Sequence, residues 1–152
     1  MTIDYDALPG LFAAAVPFAG FLGITYDAVS PESVVLRLAD DPAKHNHIGT
    51  LHAGALFALA ESASGLAVTA AVADRLAGVT PLAARAEITY RKVARGDVTA
   101  TATIEGGVAG VLTTLDAEGR VRFPVNVELR DESGEVAATV VVDWHLRRNA
   151  AS

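Results

Sequence analysis

The stretch from residue 51 to residue 77 constrains this chain most. As far as residue 73 it is built from Ala, Leu, Val, Ser, Thr and Gly, with one Phe and one His, around a single charged side chain, Glu61. Such a segment predicts a helix that is apolar nearly all round, which is the signature of a helix enclosed by protein rather than lying on a surface. Its length invites comparison with a membrane span. However, Glu61 sits in its middle, and His52, Ser62, Ser64 and Thr69 interrupt it. A carboxylate at a bilayer centre costs about 3 kcal/mol on insertion scales, so no membrane association is expected. Thr50 is the expected N-cap, its hydroxyl accepting from a first-turn N–H. Gly78, with Pro81 beyond it, is the expected stop.

The flanks of this helix are strand-like. Residues 6–17 predict a short helix before Pro17, and residues 22–29 and 33–39 a hairpin broken at Ser30-Pro31-Glu32. Residues 40–50 predict a loop. After residue 82 the pattern changes to period two, predicting strands over 83–92, 97–105, 120–131 and 136–147 in meander order. Gly96-Asp97 and Glu132-Ser133-Gly134 are the expected hairpin turns. Residues 106–119 are Gly-containing and predict a loop with a helical turn at 108–115. An antiparallel sheet wrapped around one apolar helix is an α+β solution. The sheet covers one side of the helix, and a second copy of the chain is the expected cover for the other.

At 152 residues the chain suits a single domain spanning 1–152. It has no cysteine, so disulfides and thiol chemistry are excluded, and a cytoplasmic location is expected. Met1–Tyr5 carry no basic segment, so no signal peptide is expected. The formal net charge of −6 argues against nucleic-acid binding, which depends on Lys and Arg neutralising phosphate.

The chemistry concentrates at the mouth of the long helix, in His45-Asn46-His47-Ile48-Gly49-Thr50-Leu51-His52-Ala53-Gly54. Free N–H groups of a first helical turn form a partial positive site, suited to the oxyanion that develops on a carbonyl under attack. Ala53 and Gly54 are small enough to let a carbonyl approach. Glu61 is the candidate base, because a carboxylate in apolar surroundings has a raised pKa. An alternative is a purely structural Glu satisfied by Arg or a hydroxyl. Glu61 follows Ala53 by eight residues, or ~12 Å along a helix. One carbonyl cannot reach both within a chain, so a site shared between two subunits is expected.

Asn46-His47-Ile48-Gly49-Thr50-Leu51-His52-Ala53-Gly54, with Glu61 downstream, resembles the N-x-x-G-T-x-H-G-G motif and following acid of PaaI-like hotdog-fold acyl-CoA thioesterases. Ile88-Thr89-Tyr90-Arg91-Lys92 followed by Ala94-Arg95-Gly96-Asp97 resembles a second segment of that family. The resemblance implies a hotdog fold, an acyl-CoA substrate, and a homodimer or homotetramer with a shared active site. It implies that Asn46 helps hold the carbonyl or the attacking water, that His52 organises the loop, and that the Ala53 N–H polarises the carbonyl. It also implies that Glu61 of the opposite subunit activates water or attacks directly. The chain departs from the family's pattern in having Ala53 for Gly and Ala83 where some members carry a water-positioning hydroxyl.

Arg91, Lys92 and Arg95 are candidate contacts for the CoA phosphates, or else ordinary solvated turn charges. The spacing of His45, His47 and His52 matches no standard metal pattern, and no G-x-S-x-G elbow occurs. No metal or separate cofactor is expected; the CoA moiety belongs to the substrate. Phe18, Phe21, Phe57 and Tyr90 are expected in the core, with acyl-tunnel lining the alternative for some of them. Two other functions remain open: a hydratase or dehydratase of the same fold with His52 as base, and a non-catalytic acyl-CoA-binding protein.

Overall fold

The computed structural model describes residues 2–150. Helices α1 (Leu8–Ala15) and α2 (Pro17–Phe21) precede the hairpin β1 (Thr25–Val29) and β2 (Val34–Leu38). Next come the long helix α3 (Ala53–Ala71), β3 (Val79–Tyr90), β4 (Val98–Ile104), α4 (Val108–Glu118), β5 (Arg120–Arg130) and β6 (Val136–Arg148). All strands join one antiparallel sheet in the order β1-β2-β4-β5-β6-β3. The sheet wraps α3, which packs on β2, β4 and β5. This is the α+β hotdog arrangement.

Period two in the sequence becomes the core face of the sheet. Phe123, Val125, Val127 and Leu129 of β5 are buried, as are Val140, Val142, Trp144 and Leu146 of β6. Against them α3 buries Leu56, Leu59, Ala60, Ala63, Leu66, Ala67 and Val68. The Trp144 indole N–H donates to Ser64 Oγ at 3.1 Å, and Ser64 Oγ donates to the Glu61 carbonyl at 2.7 Å, tying the last strand to the helix. Among the described residues α3 is the one helix long and apolar enough to cross a membrane by length and composition, and most of it is buried against the rest of the chain. Part of the cover expected from a second copy comes from α1, whose Leu8 and Phe12 are buried and whose Phe12 ring lies beside Gly65.

Four expectations need correction. The helix begins at Ala53, not Leu51, because Asn46 Nδ2 already donates to the Thr50 hydroxyl at 2.9 Å and Leu51 forms a bridge with His45. It ends at Ala71, where Val72 leaves helical geometry; Gly78 instead closes a short 3-10 turn. Residues 108–118 form a full helix that buries Val111 and Leu115 on β5 and β6. Finally, β3 and β4 are not a hairpin. β3 pairs with β6 at the far edge, and the chain crosses back to set β4 between β2 and β5. Turn residues such as Gly96-Asp97 report a change of direction but not which strand the chain joins next.

This crossover is fastened by Asp131, whose side chain is fully buried. Its carboxylate accepts from Ser133 Oγ, the Ser133 N–H and the Arg95 N–H, and pairs with Lys92 Nζ at 2.9 Å. Gly96 completes the clasp. It has φ +72°, and a Cβ there would fall 2.1 Å from Glu132 Oε2. The Ser133 hydroxyl above all, then Lys92 and the backbone N–H donors, hold the Asp131 carboxyl well below its ordinary range. A depressed carboxyl contributes stability above its ordinary value of 3.8 and loses it as pH falls toward the lowered value. We predict that Asp131→Ala lowers unfolding free energy by about 2 kcal/mol in urea titrations at pH 7, by orphaning these donors. The gap between variant and wild type should narrow below about pH 4.

Candidate active site

The loop before α3 is built on Asn46. Its Oδ1 accepts from the N–H groups of Ile48 (3.0 Å) and Thr50 (3.1 Å), while its Nδ2 donates to Thr50 Oγ1. One Nδ2 hydrogen remains without a partner among the described residues. Gly49, at φ +75°, supplies the left-handed turn inside this loop.

His52 is the N-cap. Its backbone is extended, and its ring Nδ1 accepts from the Gly54 N–H at 2.8 Å. The Ala55 and Leu56 N–H groups both reach the His52 carbonyl. Three of the four first-turn donors are therefore occupied. Only the Ala53 N–H has no partner among the described residues, and the dipole of a 19-residue helix stands behind it. The sequence proposed Ala53 and Gly54 together as carbonyl donors, but the geometry leaves Ala53 alone. Gly54 has a different reason to be small: a Cβ there would lie 3.0 Å from His52 Nδ1, so the capping ring occupies that space.

Ala53 and Asn46 line a cleft of about 300 Å³ with Thr50, Leu56, Tyr90 and Arg91. Tyr90, read from sequence as a core residue, is 48% exposed, and its hydroxyl donates to the Ala53 carbonyl at 3.0 Å. It pins the helix mouth to the end of β3, a long-range contact to which no local sequence signal points. Glu61 is not in this cleft. It lies on the one partly open stripe of α3, with Ala58, Gly65 and Thr69. Its carboxylate has no hydrogen-bond or ion-pair partner among the described residues. Burial alone pushes its pKa up.

The candidate phosphate contacts diverge. The Lys92 ammonium is committed to Asp131 and Glu135. Arg91 donates to Thr139 Oγ1 on β6 at 3.1 Å, and Arg95 is exposed with no side-chain partner among the described residues. The histidines also separate: His45 Nε2 meets Asp40 at 2.6 Å, His47 is exposed, and His52 caps α3.

Residues 6–146 match the model of a domain of unknown function, DUF4442. The chain belongs to that family. No curated protein matches this DUF4442 chain. Among solved structures it is similar to PA5026 of Pseudomonas aeruginosa, a protein of unknown function described as a probable thioesterase. The identity is 26% over 98% of this chain and 99% of that one, with TM-score 0.85. It also resembles thioesterase HI1161 of Haemophilus influenzae (21% identity, 97% and 93% covered, TM-score 0.75). The putative esterase Rv1847 of Mycobacterium tuberculosis is similar too (21%, 90% and 99%, TM-score 0.71). The last two likenesses establish the fold. With the first, they show that the DUF4442 chain has the hotdog fold.

The cap can be tested apart from catalysis. His52→Ala is expected to lower stability by about 1 kcal/mol in thermal or urea unfolding, and His52→Asn, a good N-cap, to recover most of that loss.

Proposed function

We propose that this protein is a PaaI-like acyl-CoA thioesterase that acts in the cytoplasm as a homo-oligomer with its active site shared between two subunits. One observation carries the reading: α3 holds both an unpartnered amide donor, at Ala53, and an unpaired, part-buried carboxylate, at Glu61. They are ~12 Å apart along the axis, so one thioester meets both only if Glu61 comes from a second copy. Strand β3 supports this assembly. It is a 12-residue edge strand, exposed over most of its length, with Leu82 55% exposed. Long unpaired edges are templates for pairing.

In this scheme the thioester carbonyl accepts from the Ala53 N–H and from the free Nδ2 hydrogen of Asn46. Glu61 takes a proton from water as the water oxygen attacks the carbonyl carbon. The tetrahedral oxyanion then collapses, the C–S bond breaks, and the thiolate of CoA leaves with the proton held by Glu61. In the alternative route the Glu61 carboxylate attacks the carbonyl carbon, the C–S bond breaks and the CoA thiolate leaves, and water then hydrolyses the mixed anhydride to the acid and free Glu61. The Arg95 and Arg91 guanidinium groups are the proposed contacts for the CoA phosphates, and Lys92 shapes the turn that carries them. The His52 geometry disfavours a hydratase. Its Nδ1 lone pair is engaged by Gly54, so the neutral ring carries its proton on Nε2 and has no free basic nitrogen.

Thiol release from a panel of acyl-CoAs tests the reading. Wild type should turn over at least one of them, and Glu61→Gln should lower kcat at least roughly a hundredfold. The wild-type rate should rise with pH through a midpoint above 4.5, the ordinary Glu value, because burial keeps Glu61 protonated for longer. The same burial disfavours the charge, so Glu61→Gln should raise Tm at pH 7. A folded wild type with no turnover, but stabilised by acyl-CoA, would identify a binding protein instead. Sedimentation should show a dimer or tetramer, and dilution to monomer should abolish activity.

A further inference from the structure

A second concavity opens on the other side of the helix mouth. It encloses about 560 Å³, and its apolar lining is Phe18, Phe21, Leu22 and Ala55. Phe18 and Phe21 were expected in the core. Instead they are 58% and 83% exposed, with their rings stacked 6.2 Å apart at 15°. A stacked, exposed aromatic pair presents a contiguous apolar surface of the kind that ligand grooves use. The polar wall is already self-paired in part: Lys44 meets Asp41 at 3.4 Å. His52 and Gly54 also line the groove, so it begins one residue beyond the free Ala53 N–H.

The two concavities flank one amide. On one side lie Asn46 and the Arg91 guanidinium, with Lys92 there already paired to Asp131 and Glu135; on the other lies the aromatic pair. A thioester whose carbonyl sits at Ala53 has two arms of opposite character, a polyanionic nucleotide arm and an acyl arm. The cationic side suits the first and the aromatic groove the second.

We propose that the groove between α2 and the start of α3, floored by Phe18 and Phe21, is the acyl-binding subsite, and that the substrates carry apolar acyl chains of medium length rather than acetyl groups. This rests on the thioesterase reading for the placement of the carbonyl at Ala53. It assigns chain-length selection to the N-terminal helical segment. Both phenylalanines are exposed, so Phe18→Ser with Phe21→Ser should leave folding and the reacting groups intact.

The test is calorimetric binding of octanoyl-CoA and of free CoA to Glu61→Gln protein, with and without the two Phe substitutions. This readout needs no turnover, so it separates failure of the groove assignment from failure of the thioesterase reading. Octanoyl-CoA is expected to bind at least roughly tenfold tighter than CoA, and the double substitution to erase that difference without changing the affinity for CoA itself. Equal affinities in the parent protein, or a chain-dependent gain that survives the substitutions, would overturn the assignment. A double substitution that changes the oligomeric mass but not the chain dependence would also overturn it, assigning the groove to a second copy of the chain.

Discussion

The enclosure of α3 is the constraint from which the rest of this structure follows. A 19-residue helix with small and apolar residues on most of its circumference cannot face water. A strongly curved sheet meets this need, and its six strands place their alternating apolar residues around the helix. What the sheet leaves open, α1 covers in part. The stripe left half-open is the one that carries Glu61, so the least enclosed stripe of the core helix also holds its one charged side chain.

A single imidazole then sets the geometry at the helix mouth. By accepting from Gly54, His52 fixes where the helix starts, keeps position 54 free of a side chain, and leaves one amide, at Ala53, with nothing to bind. Asn46 does the equivalent work for the loop, with all but one of its side-chain hydrogen-bonding groups turned inward. A cap and a loop brace, both structural in origin, thereby hold a small donor site by hydrogen bonds within the chain. Donors fixed in advance are what the proposed stabilisation of a transient charge requires.

Much of this was legible in the sequence. The helix and the strand alternation follow from periodicity, and Glu61 stands out as one carboxylate out of place in an apolar run. Three things were hidden, each for a physical reason. The role of Gly54 depends on where the ring of its neighbour but one turns, and composition does not encode that. The position of β3 beside β6 is a long-range pairing, whereas Gly96-Asp97 is a local signal. The exposure of Phe18 and Phe21 reflects their shared face on α2, three residues apart, while the helix turns Ala19 to the core. Apolar residues outside the core are invisible to a reading that equates apolar with buried.

The two edges of the sheet are unequal as templates. β1 has five residues and is interrupted by a bulge between Tyr26 and Ala28, which spoils it for further pairing. β3 is long and continuous beyond its own irregularity near Ala84. A molecule with one competent edge can add one partner about a twofold axis, after which both competent edges are consumed. With two such edges the same chain would polymerise strand upon strand. In the proposed homo-oligomer, the short, kinked first strand would be the edge at which strand addition stops.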